Sequence, residues 1–148
     1  MNLHQEYRRL RALGHVAISA MRDARTAVAW EKAERAGLVC LDVEPDELGY
    51  DDSYIDTWDD VSPAKREKAR KELWAQIDRE GVYGLVAKVL TADGRWQVVD
   101  GVCGFIGDDW KDSGYDADMK LAALRALDEL RAEEAEGLSA RATFAGVA

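Results

Sequence analysis

The chain has 148 residues, 47% of them hydrophobic, and a formal net charge of −9. That length reads as one domain with enough apolar residues to bury a core without disulfides or metal. The two cysteines have no CxxC spacing and the two histidines do not cluster, which argues against zinc, and no apolar run approaches a membrane span.

The opening MNLHQEYRRLR lacks the apolar centre of a signal peptide, so a cytoplasmic location is the expectation. Residues 3–13 read as a short helix with Tyr7 and Leu10 on one side. Gly14 interrupts it. A second, alanine-rich helix is expected over residues 16–36, with Ala17, Met21, Ala24 and Val28 on one stripe and Ala20 and Ala27 beside it. Gly37 stands where a glycine ends a helix. Residues 1–36 carry seven Lys/Arg against four Asp/Glu. The pair of helices admits two readings. One is an ordinary helical hairpin with solvated arginines. The other is a helix-turn-helix with Arg8, Arg9, Arg11, Arg22 and Arg25 on phosphates. The acidic total charge favours the first. His15, at the junction, reads as a cap or packing residue.

Residues 38–43 should form a strand at the edge of the sheet. Residues 37–64 then carry nine acids and no base. Within them, EPDELGYDDSYIDTWDDVSP interleaves acids with Tyr50, Tyr54, Ile55 and Trp58. One reading is a solvated loop with its aromatics pinned to the body. The other is a binding surface of carboxylates with aromatic anchors, imitating the spaced phosphates and bases that fill a basic groove. The calcium-loop spacing of an EF-hand is absent. Ser62-Pro63 opens a helix to about Glu80, since Ser caps well and Pro suits the first turn. Ala69, Leu73 and Ile77 give it a stripe, with Trp74 alongside. Lys65, Arg66, Lys68, Arg70 and Lys71 give it a basic surface that neutralises the acidic loop in the plainer reading.

The stretch VYGLVAKVLTADGRWQVVDGVCGFIG, residues 82–107, is the long run rich in β-branched and aromatic residues. Asp93-Gly94 is a hairpin signal and Asp100-Gly101 a turn or bulge signal, so a three-stranded meander is expected. Trp96 and Val98 should share one face and Gln97 and Val99 the other. The glycines lie inside β runs and form no phosphate-cradling motif. DDWKDSGYDAD follows as a second acidic and aromatic loop. Asp116 or Asp118 should cap a last helix that buries Leu124, Leu127 and Leu130 and ends at about Glu136, before Gly137. The tail, residues 137–148, is expected to be mobile or to dock through Phe144. The whole predicts an α+β domain with a three- to four-stranded antiparallel sheet and about four helices.

No catalytic constellation stands out. Ser53, Ser62 and Ser113 lie in acidic loops without a nucleophile elbow. Cys40 and Cys103 fall inside expected strands, which favours burial over reactivity. A non-catalytic protein with no cofactor and no metal is expected. The candidate binding residues are Asp46, Asp51, Asp52, Asp56, Asp59 and Asp60, with Tyr54 and Trp58 as anchors and Asp108, Asp109 and Asp112 extending the surface.

The segments EYRRLRALGHVAISAMRDARTAVAWEKAERAGLV, LDVEPD, EGVYGLV and GVCGFIGDDWKDSGYDAD together resemble a group of small acidic proteins carried by bacteriophages and related mobile elements. The resemblance covers the chain to about residue 130. The group has no established activity, so no functional residue carries over. What the resemblance implies is context: such proteins often bind and block a host factor, as anti-CRISPR and anti-restriction proteins do. The expected partner is therefore a host defence complex of CRISPR-Cas or restriction type in the host cytoplasm, with no direct nucleic-acid or membrane binding. The alternatives are a small DNA-binding regulator using the N-terminal arginines, or a phage structural or assembly accessory protein.

Overall fold

The structure is a computed structural model that describes residues 2–14 and 17–146. Helices α1 (Leu3–Ala12) and α2 (Ala17–Arg35) form the expected N-terminal pair. Asn2 starts α1 through a reciprocal cap. The Gln5 amide donates to Asn2 Oδ1 at 3.0 Å, and the Asn2 amide donates to the Gln5 side chain. Leu10, Ala20 and Ala24 close a small cluster between the two helices, with Leu3 and Tyr7 packed on it. The alanines let the backbones approach. His15 lies outside the described residues. Gly37 ends α2 with φ +71°: its amide donates to Glu34 O, and that of Leu38 to Ala33 O. This doubled closure needs a left-handed residue that glycine adopts without strain.

Three strands, β1 (Val39–Pro45), β2 (Val82–Leu90) and β3 (Trp96–Ile106), form one antiparallel sheet in that order, with β2 central. With four α-helices among the described residues the class is α+β, as expected. At Asp100-Gly101 the bulge alternative holds and the turn does not. β3 runs straight through it, and the extra residues are absorbed as two bulges, where the register slips between Ala87 and Lys88 and between Tyr83 and Leu85. The expected third run of the meander is therefore the second half of β3. The total of three strands is reached because residues 39–45 pair with β2.

Strand alternation sorts the sheet into two faces. Val39 and Leu41 stand beside Val89 and Ala87, and with Leu85 they face the helices. Trp30 and Ala33 of α2 and Met119, Ala123 and Leu127 of α4 (Tyr115–Gly146) close over them. Leu127 is buried as expected, with Leu124 and Leu130 at the margin. Met119, Ala123 and Leu127 recur every four residues, the spacing of one helix face. The other face pairs Cys40 with Lys88 and Val98, and Leu90 with Trp96. Trp96 and Val98 share that face and are both exposed. Burial of the cysteines is corrected here: Cys40 is only half-buried and Cys103 is exposed. An edge strand and an uncovered face leave strand residues open to water.

α3 (Pro63–Glu80) begins and ends where the sequence indicates. Ser62 Oγ accepts from the Lys65 amide, and Gly81, at φ +78°, receives the chain. Its stripe of Ala69, Leu73 and Ile77 is half-buried, and no residue of α3 is fully buried. The last helix is longer than expected. Gly137 does not end it, and α4 runs on to Gly146, 32 residues in all. A helix-interior glycine costs only about 1 kcal/mol relative to alanine, and the alanine- and glutamate-rich flanks offset that. The expected helix end at about Glu136 is corrected accordingly: residues 137–146 continue α4. Phe144's side chain lies outside the described set. Among the described residues no helix is long and apolar enough to cross a membrane.

Candidate functional site

The acidic segment between β1 and α3 has its own local order. It leaves the sheet at Asp46, whose amide donates to Val82 O at 2.9 Å and whose carboxylate accepts from the Leu48 amide. A short 3-10 turn, Ser53–Thr57, follows. Asp51 precedes it and accepts from the Ser53 amide at 2.9 Å; the Ser53 hydroxyl, then that amide, hold the Asp51 carboxyl below its ordinary range. Ile55 turns inward and is 1% exposed. It is the apolar pin of the segment.

A polar clasp holds the same turn on α3. Arg70 donates through Nε to Asp52 at 3.0 Å and through a terminal nitrogen to Asp56 at 2.7 Å. The indole N–H of Trp74 donates to the same Asp52 oxygen at 2.9 Å. Arg66 adds bonds to the carbonyl oxygens of Asp56 and Val61. Arg70 and Trp74 are four apart on α3 and so present one face of that helix to the turn. The Trp74 bond, then the Arg70 guanidinium, lowers the Asp52 pKa. Asp56 and then Asp52 raise that of Arg70.

The aromatics stack along the outer side. Tyr50 and Tyr54 meet edge to face at 6.3 Å, and Tyr54 and Trp58 meet tilted at 6.1 Å. The two phenol oxygens are 3.3 Å apart. That bond, followed by burial and the nearby charges of Tyr54, Asp109 and Asp51, pushes Tyr50 up to about 12. Asp109, one of the charges acting on Tyr50, belongs to the second acidic loop. In that second loop Lys111 pairs with Asp108 at 3.0 Å and lies 5.7 Å over the Trp110 ring.

The eleven sequence-proposed residues thus fall into two sets. Asp52 and Asp56 are engaged by Arg70, and Asp108 by Lys111. Asp51, Asp59, Asp60, Asp109 and Asp112 are exposed and make no ion pair among the described residues; Asp46 is half-buried and also unpaired by a base. Tyr54 and Trp58 remain 42% and 38% exposed. Of the five basic residues opening α3, only Arg66 and Arg70 turn to the loop. Lys68 pairs with Glu72 on its own helix. Sequence reasoning did not single out Trp74 as a donor or Arg70 as the organising cation, although their four-residue spacing carried that signal.

The rest of the surface has less to offer. On the open face of the sheet Lys88 bridges Asp42 and Glu44 at 2.8 Å each, which raises its pKa. Burial, then Asp42, pushes the neighbouring Cys40 thiol up and away from thiolate reactivity. No cluster of three metal-binding side chains occurs among the described residues. No family model, curated protein or solved structure matches the chain.

Proposed function

We propose that the chain is a non-catalytic binding protein that presents its acidic and aromatic loop to a basic surface on a partner. The observation that carries this reading is the clasp: Arg70 and Trp74 hold Asp52 and Asp56, while Tyr54, Trp58, Asp59 and Asp60 stay exposed beside them. A loop already ordered loses less entropy on binding than a free one, and exposed aromatics next to unpaired acids are the composition of an interface anchor with a steering rim. The partner chemistry that fits is a groove lined by Lys and Arg, such as the nucleic-acid channel of a host defence complex. With the phage-protein resemblance this makes the chain an inhibitor of anti-CRISPR or anti-restriction type, acting in the host cytoplasm. The DNA-regulator reading has weaker support, because Arg9 is engaged by Glu6 and Arg22 by Asp23.

The test is a tagged pull-down from a host lysate carrying restriction and CRISPR systems, at low and high salt, with the wild-type chain and an Asp59→Lys/Asp60→Lys variant. Those two acids are chosen because neither one holds the loop. The expected result is one nucleic-acid-handling complex, lost with rising salt and lost in the variant. Capture that the variant leaves undiminished, or no such complex at any salt, refutes the reading.

A further inference from the structure

The 32 residues of α4 span about 48 Å at 1.5 Å per residue, more than the diameter of about 39 Å of a compact sphere with the radius of gyration of about 15 Å expected for this chain length. From Arg131 onward every described side chain of the helix is exposed. A helical piece of that length, with no packing, is marginal on its own propensity.

One face of this bare stretch is not plainly polar. Leu138 is 66% exposed. Beside it, Gly137 opens a gap with nothing near the place a Cβ would occupy. Glu134 and Arg141 lie seven residues apart, two turns, and neither makes an ion pair among the described residues. Together with Leu130 and Glu133, and with Thr91, Ala92 and Asp93 of the β2–β3 turn, they line one open groove, in which Arg141 is the single base.

We propose that this face is an antiparallel interface with a second copy of the chain. A two-fold axis between Gly137 and Leu138 sets Leu138 against the partner's Gly137, and Glu134 against the partner's Arg141, and each contact occurs twice. The fit extends to length. Leu130, where packing on the body ends, then faces the partner's Ala145 near the end of its helix, so the bare stretches overlap fully. It extends to charge as well. The Asp108–Asp112 loop adjoins the start of α4, so a two-fold at the far half of the helix sets the two acidic loops at opposite ends. For a chain of net charge −9 that arrangement keeps the two acidic loops apart. A single helix pair buries an area at the low end for specific association, so the dimer is a weak one.

Sedimentation equilibrium of the full chain from about 1 to 200 μM, the range a weak interface populates, tests this. The expected result is a monomer–dimer equilibrium. Glu134→Arg and Arg141→Glu should each weaken it by about tenfold or more, and the double reversal should restore it. The two single variants change net charge in opposite directions, so weakening by both cannot come from overall repulsion. Circular dichroism confirms that each variant keeps its helix. A wild-type chain that stays monomeric throughout overturns the proposal. So does a dimer indifferent to both single reversals, or one that the double reversal fails to restore.

Discussion

The covered face of the sheet and the acidic loop beside α3 are held by opposite means. At the sheet, Leu85, Ala87 and Val89 are fully buried under Met119, Ala123 and Leu127, and the buried cluster is apolar, with Lys120 only capping the Trp30 ring at 5.5 Å. At the loop one buried side chain, Ile55, is joined by a guanidinium, two carboxylates and an indole N–H at the surface. The first arrangement has no titrating group in its buried cluster and holds most of the buried apolar side chains. The second gives position more than stability, because exposed ion pairs contribute little in water. The difference teaches where function fits: a surface that must meet a charged partner is kept in place by directional bonds that leave its outer side free.

The largest effect that separates the two regions should come from the sheet. Leu85→Ala removes a fully buried side chain and should lower the unfolding free energy by about 3 kcal/mol, read as a shifted urea midpoint with an unchanged slope. A loss under about 1 kcal/mol would mean that this face is not the core.

Acid should sharpen the contrast. The Asp52 carboxyl is held below its ordinary value of 3.8 by Trp74 and Arg70. Its stabilising contribution is therefore complete above that value and is lost as pH falls through the lowered one. The Trp74 indole N–H resonance, identified by its absence in a Trp74→Phe variant, should shift with a midpoint below 3.8. Arg70→Ala should move that midpoint upward. A midpoint at or above the ordinary value in the wild-type chain would place Trp74 and Asp52 apart.

The smallest effect belongs to the exposed acids. Asp59→Lys and Asp60→Lys should each change stability by less than about 0.5 kcal/mol in thermal or urea unfolding. A larger loss would show that these residues hold the loop, and would blur any binding result obtained with them.

Much of this architecture was legible in the sequence, and the reasons are local. Ser62-Pro63 and Gly81 bracket α3 because capping chemistry is read from single residues. Asp93-Gly94 turns the hairpin, with Gly94 at φ +80° and its amide on Thr91 O. What escaped is decided by tertiary context. Asp100-Gly101 has the composition of a turn, but pairing with Ala87 and Val86 keeps it in the strand. Gly137 has the look of a stop, yet nothing after it competes with the helix. Cys103 sits in a β run, but burial depends on whether a face is covered, and composition does not carry that. At the loop the acids and aromatics were visible as a cluster. Which acids are engaged was not, since Arg70 and Trp74 reach Asp52 across 18 and 22 residues of chain.

Amide hydrogen exchange across residues 50–61, in the wild-type chain and in Arg70→Ala, tests most directly whether the clasp orders the loop. The amides of Ile55 and Trp58 donate to Asp52 O and Ile55 O inside the turn. They should be protected in the wild-type chain and lose that protection in Arg70→Ala, while the amides of β2 keep theirs. Wild-type amides that exchange as freely as an unstructured peptide, or protection that Arg70→Ala leaves intact, would contradict a loop held in readiness by Arg70.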